Sequence, residues 1–276
     1  MHAAIDLNAG PFAAIKQRQQ AMWASGDFSV VASRIVIGAE MLCEAADLQA
    51  GWRVLDVATG SGNAAIAAAR RGCTAVGADY VPALLDRGRI RAEAEHLEVE
   101  FVEADAENLP FSNGSFDAVL SIYGTMFAPD HRRAAAELVR VCKPGGRIAL
   151  ASWTPGGFIG DMFRLVAGYI PPAPGVIPPV RWGDEDYLKE LFGTAIGSIR
   201  SQVRTMVFRY VSPEANVDFF RTYYGPTLKT FASLGADDQR RLAADMAGLA
   251  RRYNRNSGDG PVAIVGDYLE SVIDLA

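Results

Sequence analysis

Between residues 51 and 153, short apolar runs alternate with segments of helical periodicity, and this alternation limits the fold more than any other feature of the chain. Strand-like runs stand at 53–57 (R-V-L-D-V), 74–79 (T-A-V-G-A-D), 98–105 (E-V-E-F-V-E-A-D), 117–122 (D-A-V-L-S-I) and 147–153 (R-I-A-L-A-S-W). Helices are predicted between them over 62–71, 82–95 and 130–142. Parallel strands need a crossover connection, and such crossovers are almost always right-handed and helical. The order therefore predicts an α/β, doubly wound, mostly parallel sheet with helices on both faces. K-P-G-G at 143–146 reads as the tight turn before the fifth strand. Two later runs, 199–210 and 262–273, bring the expected sheet to seven strands.

The flanks read differently. Residues 11–50 carry apolar positions at three- and four-residue spacing, interrupted at S-G-D-F, 25–28. After residue 153 comes T-P-G-G-F-I-G and an apolar segment, then P-P-A-P-G-V-I-P-P-V at 171–180, where prolines exclude a helix or central strand and leave an ordered crossing loop. Asp184 is placed to cap a short helix that ends at Gly193, and two further helices are expected over about 213–223 and 237–253.

Composition narrows the function. Half of the 276 residues are hydrophobic, which is enough for a large core. A net charge of -5 and the lack of clustered Lys and Arg exclude a nucleic-acid partner. Cys43, Cys73 and Cys142 are odd in number, far apart and set in apolar surroundings, so they are expected as reduced core residues rather than a disulfide or metal site. The first residues, M-H-A-A-I-D-L-N, lack a charged leader with an apolar stretch behind it, and no run approaches the roughly 18 apolar residues of a membrane span. A cytoplasmic protein without a membrane span is expected, and a homodimer is compatible with the chain.

The chemistry starts at V-L-D-V-A-T-G-S-G-N, residues 54–63. The small residues Ala58, Gly60 and Gly62 follow a buried strand and let backbone amides approach a ligand. Counted from Gly60, the spacing also satisfies the dinucleotide pattern G-x-G-x-x-A, so the loop alone does not choose between ligands. Asp56 chooses: a carboxylate beside the loop opposes a pyrophosphate and favours the cationic ammonium and sulfonium of S-adenosylmethionine. Asp79, which ends the second strand, can accept both ribose hydroxyls. Asp105, at the third strand end beside Ala106, is placed to accept an adenine amine. The helical residues before the loop can fold over the ligand as a lid.

These segments, with F-D-A-V-L-S-I-Y-G and V-R-V-C-K-P-G-G-R-I-A-L further on, resemble the class I S-adenosylmethionine-dependent methyltransferases over residues 50–155, in particular the small-molecule branch of ubiquinone and menaquinone C-methyltransferases. The resemblance implies a Rossmann-like sheet with helical lid elements and S-adenosyl-L-methionine as cofactor, S-adenosyl-L-homocysteine being the product. It implies Ala58, Thr59, Gly60 and Gly62 beneath the methionine and ribose, Asp79 with its neighbour Tyr80 at the ribose, Asp105 with Ala106 at the adenine, and the Ser121 carbonyl at the methionine amine. The family's commonest loop has glycine where this chain has Ala58. The expected parts are a lid over 1–50, a cofactor core over 51–153 and, over 154–276, the completion of the sheet with inserted helices capping an acceptor pocket.

The acceptor side is read from Y-G-T-M-F-A-P-D-H, 123–131. Tyr123 and His131 are candidate catalytic groups that could orient or deprotonate an acceptor hydroxyl, although the plainer reading of His131, in the first turn of a helix capped by Asp130, is a surface histidine. Met126 and Phe127 are expected in an apolar wall, Trp23 in the lid over the cofactor, and Phe219, Phe220, Tyr223 and Tyr224 as a cap. The expected activity is methyl transfer to O or C of a small, largely apolar or aromatic acceptor, by in-line displacement that needs mainly alignment and water exclusion. Two alternatives stay open: an S-adenosylmethionine-binding protein with pericyclic or decarboxylating catalysis, and an NAD(P)-dependent oxidoreductase.

Overall fold

The computed structural model describes residues 11–258 and 260–276; the first ten residues of the expected lid lie outside it. The strands are β1 (Arg53–Val57), β2 (Thr74–Asp79), β3 (Val99–Glu103), β4 (Phe116–Ile122), β5 (Cys142–Trp153), β6 (Ile196–Tyr210) and β7 (Val262–Leu275). They form one seven-stranded sheet in the order β3-β2-β1-β4-β5-β7-β6. β1 to β5 pair in parallel, whereas β7 runs antiparallel to both β5 and β6. Four of the five residues of β1 are buried, as befits a strand covered on both faces. The bend at Lys143-Pro144-Gly145-Gly146 falls inside the first residues of β5, beside a register shift against β4.

Strand order reverses between β1 and β4, which is where open α/β sheets leave a crevice at the carboxyl ends of their strands. Helices α4 (Asn63–Arg70), α5 (Pro82–Ala94) and α6 (His131–Val141) make the crossovers. The N-terminal segment gives α1 (Ala13–Trp23), α2 (Phe28–Ala32) and α3 (Val36–Ala45), broken at the expected 25–28. Five of the eight residues of α4 are alanine and the helix is buried from Asn63 to Ala68, so it fits between the sheet and α3.

The C-terminal part holds more helix than the sequence suggests. The apolar segment after residue 157 is α7 (Phe158–Tyr169), and α8 (Glu185–Phe192) is capped by Asp184, whose side chain accepts from the Asp186 amide. Three helices, not two, separate β6 from β7: α9 (Pro213–Tyr223), α10 (Gly225–Ser233) and α11 (Ala236–Arg252). Cys43, Cys73 and Cys142 are free and buried, and burial pushes the Cys43 and Cys142 thiols up to about 12. No helix among the described residues is long and apolar enough to cross a membrane.

Candidate active site

A cavity holding about 900 Å³ of space, part of it open to solvent, occupies the crevice at the carboxyl ends of β1 to β4 beneath α1. Its apolar lining with a few convergent polar groups is the character of a small-molecule site. Its floor is the turn after β1. Ala58 and Gly60 both take left-handed φ, 55° and 56°, and both line the cavity with Thr59. A Cβ added at Gly60 would meet only the Phe28 ring, in ordinary contact at 3.5 Å.

The acids divide into two roles. Asp56 is fully buried and does not line the cavity. It accepts from Thr59 Oγ1 at 2.5 Å and from the Ala65 amide at 3.0 Å, so it shapes the loop and anchors the start of α4. This corrects the expectation that it faces the cofactor directly: its hydrogen bonds hold it against the loop's own framework. Burial pushes its carboxyl up to about 7, against the pull of those hydrogen bonds.

Asp79 does line the cavity. Its Oδ2 accepts from the Gly60 amide at 2.8 Å and its Oδ1 from the Val81 amide at 2.9 Å, fixing the carboxylate between two strand-end loops. Burial raises it to about 6. Tyr80, Asp105 and Ala106 complete this wall.

Gly62 and Ser121 stand behind the lining. Gly62, at φ 86°, caps α4 and touches the Phe101 ring, where a Cβ would come within 2.9 Å. Ser121 Oγ donates to the Val57 carbonyl at 2.8 Å and accepts from the Thr125 amide and hydroxyl, tying β4 to β1. The residues of this strand end that reach the cavity are Ile122, Tyr123, Gly124 and Thr125.

Sequence reading missed α1's contribution. Lys16 is the only buried residue of that helix, and its Nζ meets Asp105 Oδ2 at 2.6 Å and Glu107 Oε2 at 2.5 Å. Gln20 Nε2 donates to the Tyr80 carbonyl at 2.5 Å and Gln19 Nε2 to the Phe127 carbonyl at 3.1 Å. Polar contacts thus bind α1 to the loops after β2, β3 and β4. Asn63 was also missed: it lines the cavity, donates to the Ala32 carbonyl and accepts from Arg91, joining α2, α4 and α5.

The opposite end of the cavity is apolar. Trp23 meets Phe28, Phe127 and Tyr224 edge-on at ring distances of 5.5, 5.0 and 5.5 Å, and Ile35 and Ile122 extend the wall. Phe127 belongs to this wall as expected, while Met126 turns into the core. Phe219, Phe220, Tyr223 and Tyr224 do not line the cavity; Tyr224 supports Trp23 and Phe28 from behind.

The two candidate catalytic groups separate. Tyr123 lines the cavity, but its ring is stacked on Trp153 at 4.0 Å and its buried hydroxyl makes no well-formed hydrogen bond. Burial raises that phenol well above 10, which removes it as a base near neutrality. His131 is neither in the lining nor on the surface. Only 1% exposed, it bonds Tyr187 Oη through Nδ1 at 2.9 Å and packs on Trp182, and burial lowers it to about 4.

Comparison with known proteins agrees with this geometry. Residues 55–150 match the family model described as a methyltransferase domain. An uncharacterised protein of Mycobacterium tuberculosis is 40% identical over 88% of this chain and 89% of its own. A demethylmenaquinone methyltransferase of Deinococcus radiodurans is 40% identical over 50% of this chain and 59% of its own. The chain belongs to the S-adenosylmethionine-dependent methyltransferases. Its fold is also that of a methyltransferase-like structure from Bacillus halodurans, at a TM-score of 0.59 and 20% identity over 86% of this chain and 97% of that one. The cofactor of this methyltransferase is S-adenosylmethionine, and the residues fit it: the tight Ala58–Gly60 turn, two carboxylates in the lining and a single lysine already matched by Asp105 and Glu107 leave a cradle suited to a cation with hydroxyl and amine donors.

Proposed function

We propose that the enzyme methylates an O or C nucleophile of a small, largely apolar or aromatic acceptor. The observation that carries this reading is the wall of Trp23, Phe28, Ile35, Ile122 and Phe127, which offers the acceptor contact area and no fixed charge. The name of the Deinococcus relative, for demethylmenaquinone, accords with an acceptor of that class.

In this reading Ala58, Thr59, Gly60 and Asp79 hold the methionine and ribose, and Asp105 with Ala106 holds the adenine. S-adenosylmethionine supplies a methyl group on a sulfonium, which needs no further activation. The chain's own task is alignment and exclusion of water, and α1 closing the cavity serves both. The carboxylates in the lining are held by backbone amides or Lys16, and burial pushes the phenols of Tyr80 and Tyr123 upward. A base is therefore not built in, and the fitting acceptor loses its proton readily: a phenol, a quinol or an activated carbon.

Incubation with methyl-labelled S-adenosylmethionine and two acceptor pools tests this. Label should enter alkylphenols or alkyl-naphthoquinols and be recovered in organic solvent. Label found only on polar amines or carboxylates would overturn the acceptor class. Tight cofactor binding with no transfer to either pool would favour non-methylating catalysis.

A further inference from the structure

Lys16 is a lysine buried on a helix that otherwise buries nothing. Its burial opposes the charge, yet hydrogen bonds to Asp105 and Glu107 outweigh that and leave it above its ordinary value. Around it, Asp105 Oδ1 accepts from the Glu107 amide at 2.9 Å, and Glu107 Oε1 accepts from the Asp130 amide at 2.8 Å. Two carboxylates therefore share one ammonium, and that ammonium comes from the lid.

We propose that Lys16 is a positioning residue for purine recognition: from the closed lid it fixes Asp105 as an acceptor-only carboxylate, so that the enzyme reads the 6-amino group of the cofactor. The inference rests on Asp105 facing the adenine. A carboxylate accepts from the amine of adenine and repels the 6-oxo group of hypoxanthine. Without the ammonium, Asp105 and Glu107 face one another as like charges and repel. The Asp105 carboxylate then leaves the position in which it meets the amine, and the distinction between the two purines fades. Because α1 carries the lysine, selectivity is complete only when the lid is closed.

The test is calorimetric binding of S-adenosylhomocysteine and its deaminated analogue, S-inosylhomocysteine, to the full-length protein. The unaltered protein should prefer the adenine compound by about tenfold or more. K16M should bring the ratio toward one. K16M/E107Q, in which Asp105 no longer faces a second carboxylate, should restore the preference without restoring the lysine. K16Q, which removes the charge and keeps a donor, replaces K16M in the comparison if thermal melts show K16M unfolded. If K16M retains the preference while both affinities fall together, Lys16 only fastens the lid and the proposal is overturned. If the unaltered protein does not distinguish the two compounds, the adenine assignment of Asp105 fails, and the proposal with it.

Discussion

The Cβ of Ala58 lies 2.7 Å from where a Cβ on Gly124 would stand. The turns after β1 and β4 therefore pack with Gly124 against the Ala58 methyl group and carbonyl oxygen, leaving no room for a side chain on Gly124. The family's usual glycine and this chain's Ala58 differ by a contact that Gly124 accommodates. Ala58 also holds φ 55°, a conformation that costs an L residue roughly 1–2 kcal/mol.

Gly124→Ala should consequently destabilise the protein by about 1–3 kcal/mol, the usual effect of overpacking, and weaken cofactor binding. Ala58→Gly should stay within about 1 kcal/mol of the parent, because relief of the left-handed strain is offset by a freer unfolded chain. The double variant should recover only part of the loss, since a Gly124 side chain would also stand 2.5 Å from the Ala58 carbonyl oxygen. Thermal melts of the three variants measure this, and full recovery in the double variant would refute the backbone contact.

Asp79 ties ligand binding to pH. Its carboxyl stands at about 6 when folded, above its value near 3.8 in an open chain. Between those values the native state binds more protons than the unfolded one, so Asp79 stabilises the unliganded protein at low pH, and this is lost as pH rises through 6. A ligand hydroxyl donating to Asp79 favours the ionised form. Affinity for S-adenosylhomocysteine should rise from pH 5 to 7 with release of protons, as calorimetry in buffers of different ionisation enthalpy reads; proton uptake would contradict this assignment. Asp79→Ala should also lower stability, because the Gly60 and Val81 amides lose their acceptor.

Four of the five parallel strands were legible because a strand buried on both faces carries a nearly unbroken apolar run, whereas β3, at the sheet edge, is exposed at Glu100 and Glu103; the acids at the strand ends stood out against the apolar runs. What each acid does was not legible: Asp56 turns back on Thr59 and Ala65, a choice made by packing. α10 was missed because Gly225-Pro226 looks like a break, although proline fits the first turn of a helix, where its amide is not needed. Lys16 gave no signal at all, since its partner Asp105 is 89 residues away. His131 was placed at the right helix start, with Asp130 as cap, but its burial comes from Trp182 and Tyr187, far along the chain.

Tyr123→Phe should leave the turnover rate within about twofold and stability unchanged or improved by up to about 1 kcal/mol, because it removes a buried hydroxyl lacking a well-formed bond. A catalytic phenol would instead contribute about a hundredfold or more. Steady-state rates across pH 6 to 9 decide between these.

His131 acts on stability. Its folded value of about 4 lies below the ordinary 6.5, so its contribution is present above pH 6.5 and is lost as pH falls through 4. His131→Phe should lack this dependence, and the gap in melting temperature between the parent and the variant should narrow on acidification from pH 7 to 4.5. The methylation rate should keep the same pH profile; a lost acid limb would return His131 to the chemistry.

Trp23 tests where the acceptor sits. Its indole is the hub of the aromatic wall, in contact with Phe28 and Phe127 inside the cavity and Tyr224 behind. An apolar acceptor in that half of the cavity loses most of one wall in Trp23→Ala, so its KM should rise at least about tenfold, corresponding to about 1.4 kcal/mol. Affinity for S-adenosylhomocysteine should fall less, because the amides and carboxylates of Gly60, Asp79 and Asp105 remain. Trp23→Phe should keep both, because an aromatic ring still covers that wall. If Trp23→Ala instead weakens the nucleotide most and leaves the acceptor KM unmoved, the aromatic end belongs to the cofactor and the acceptor enters elsewhere.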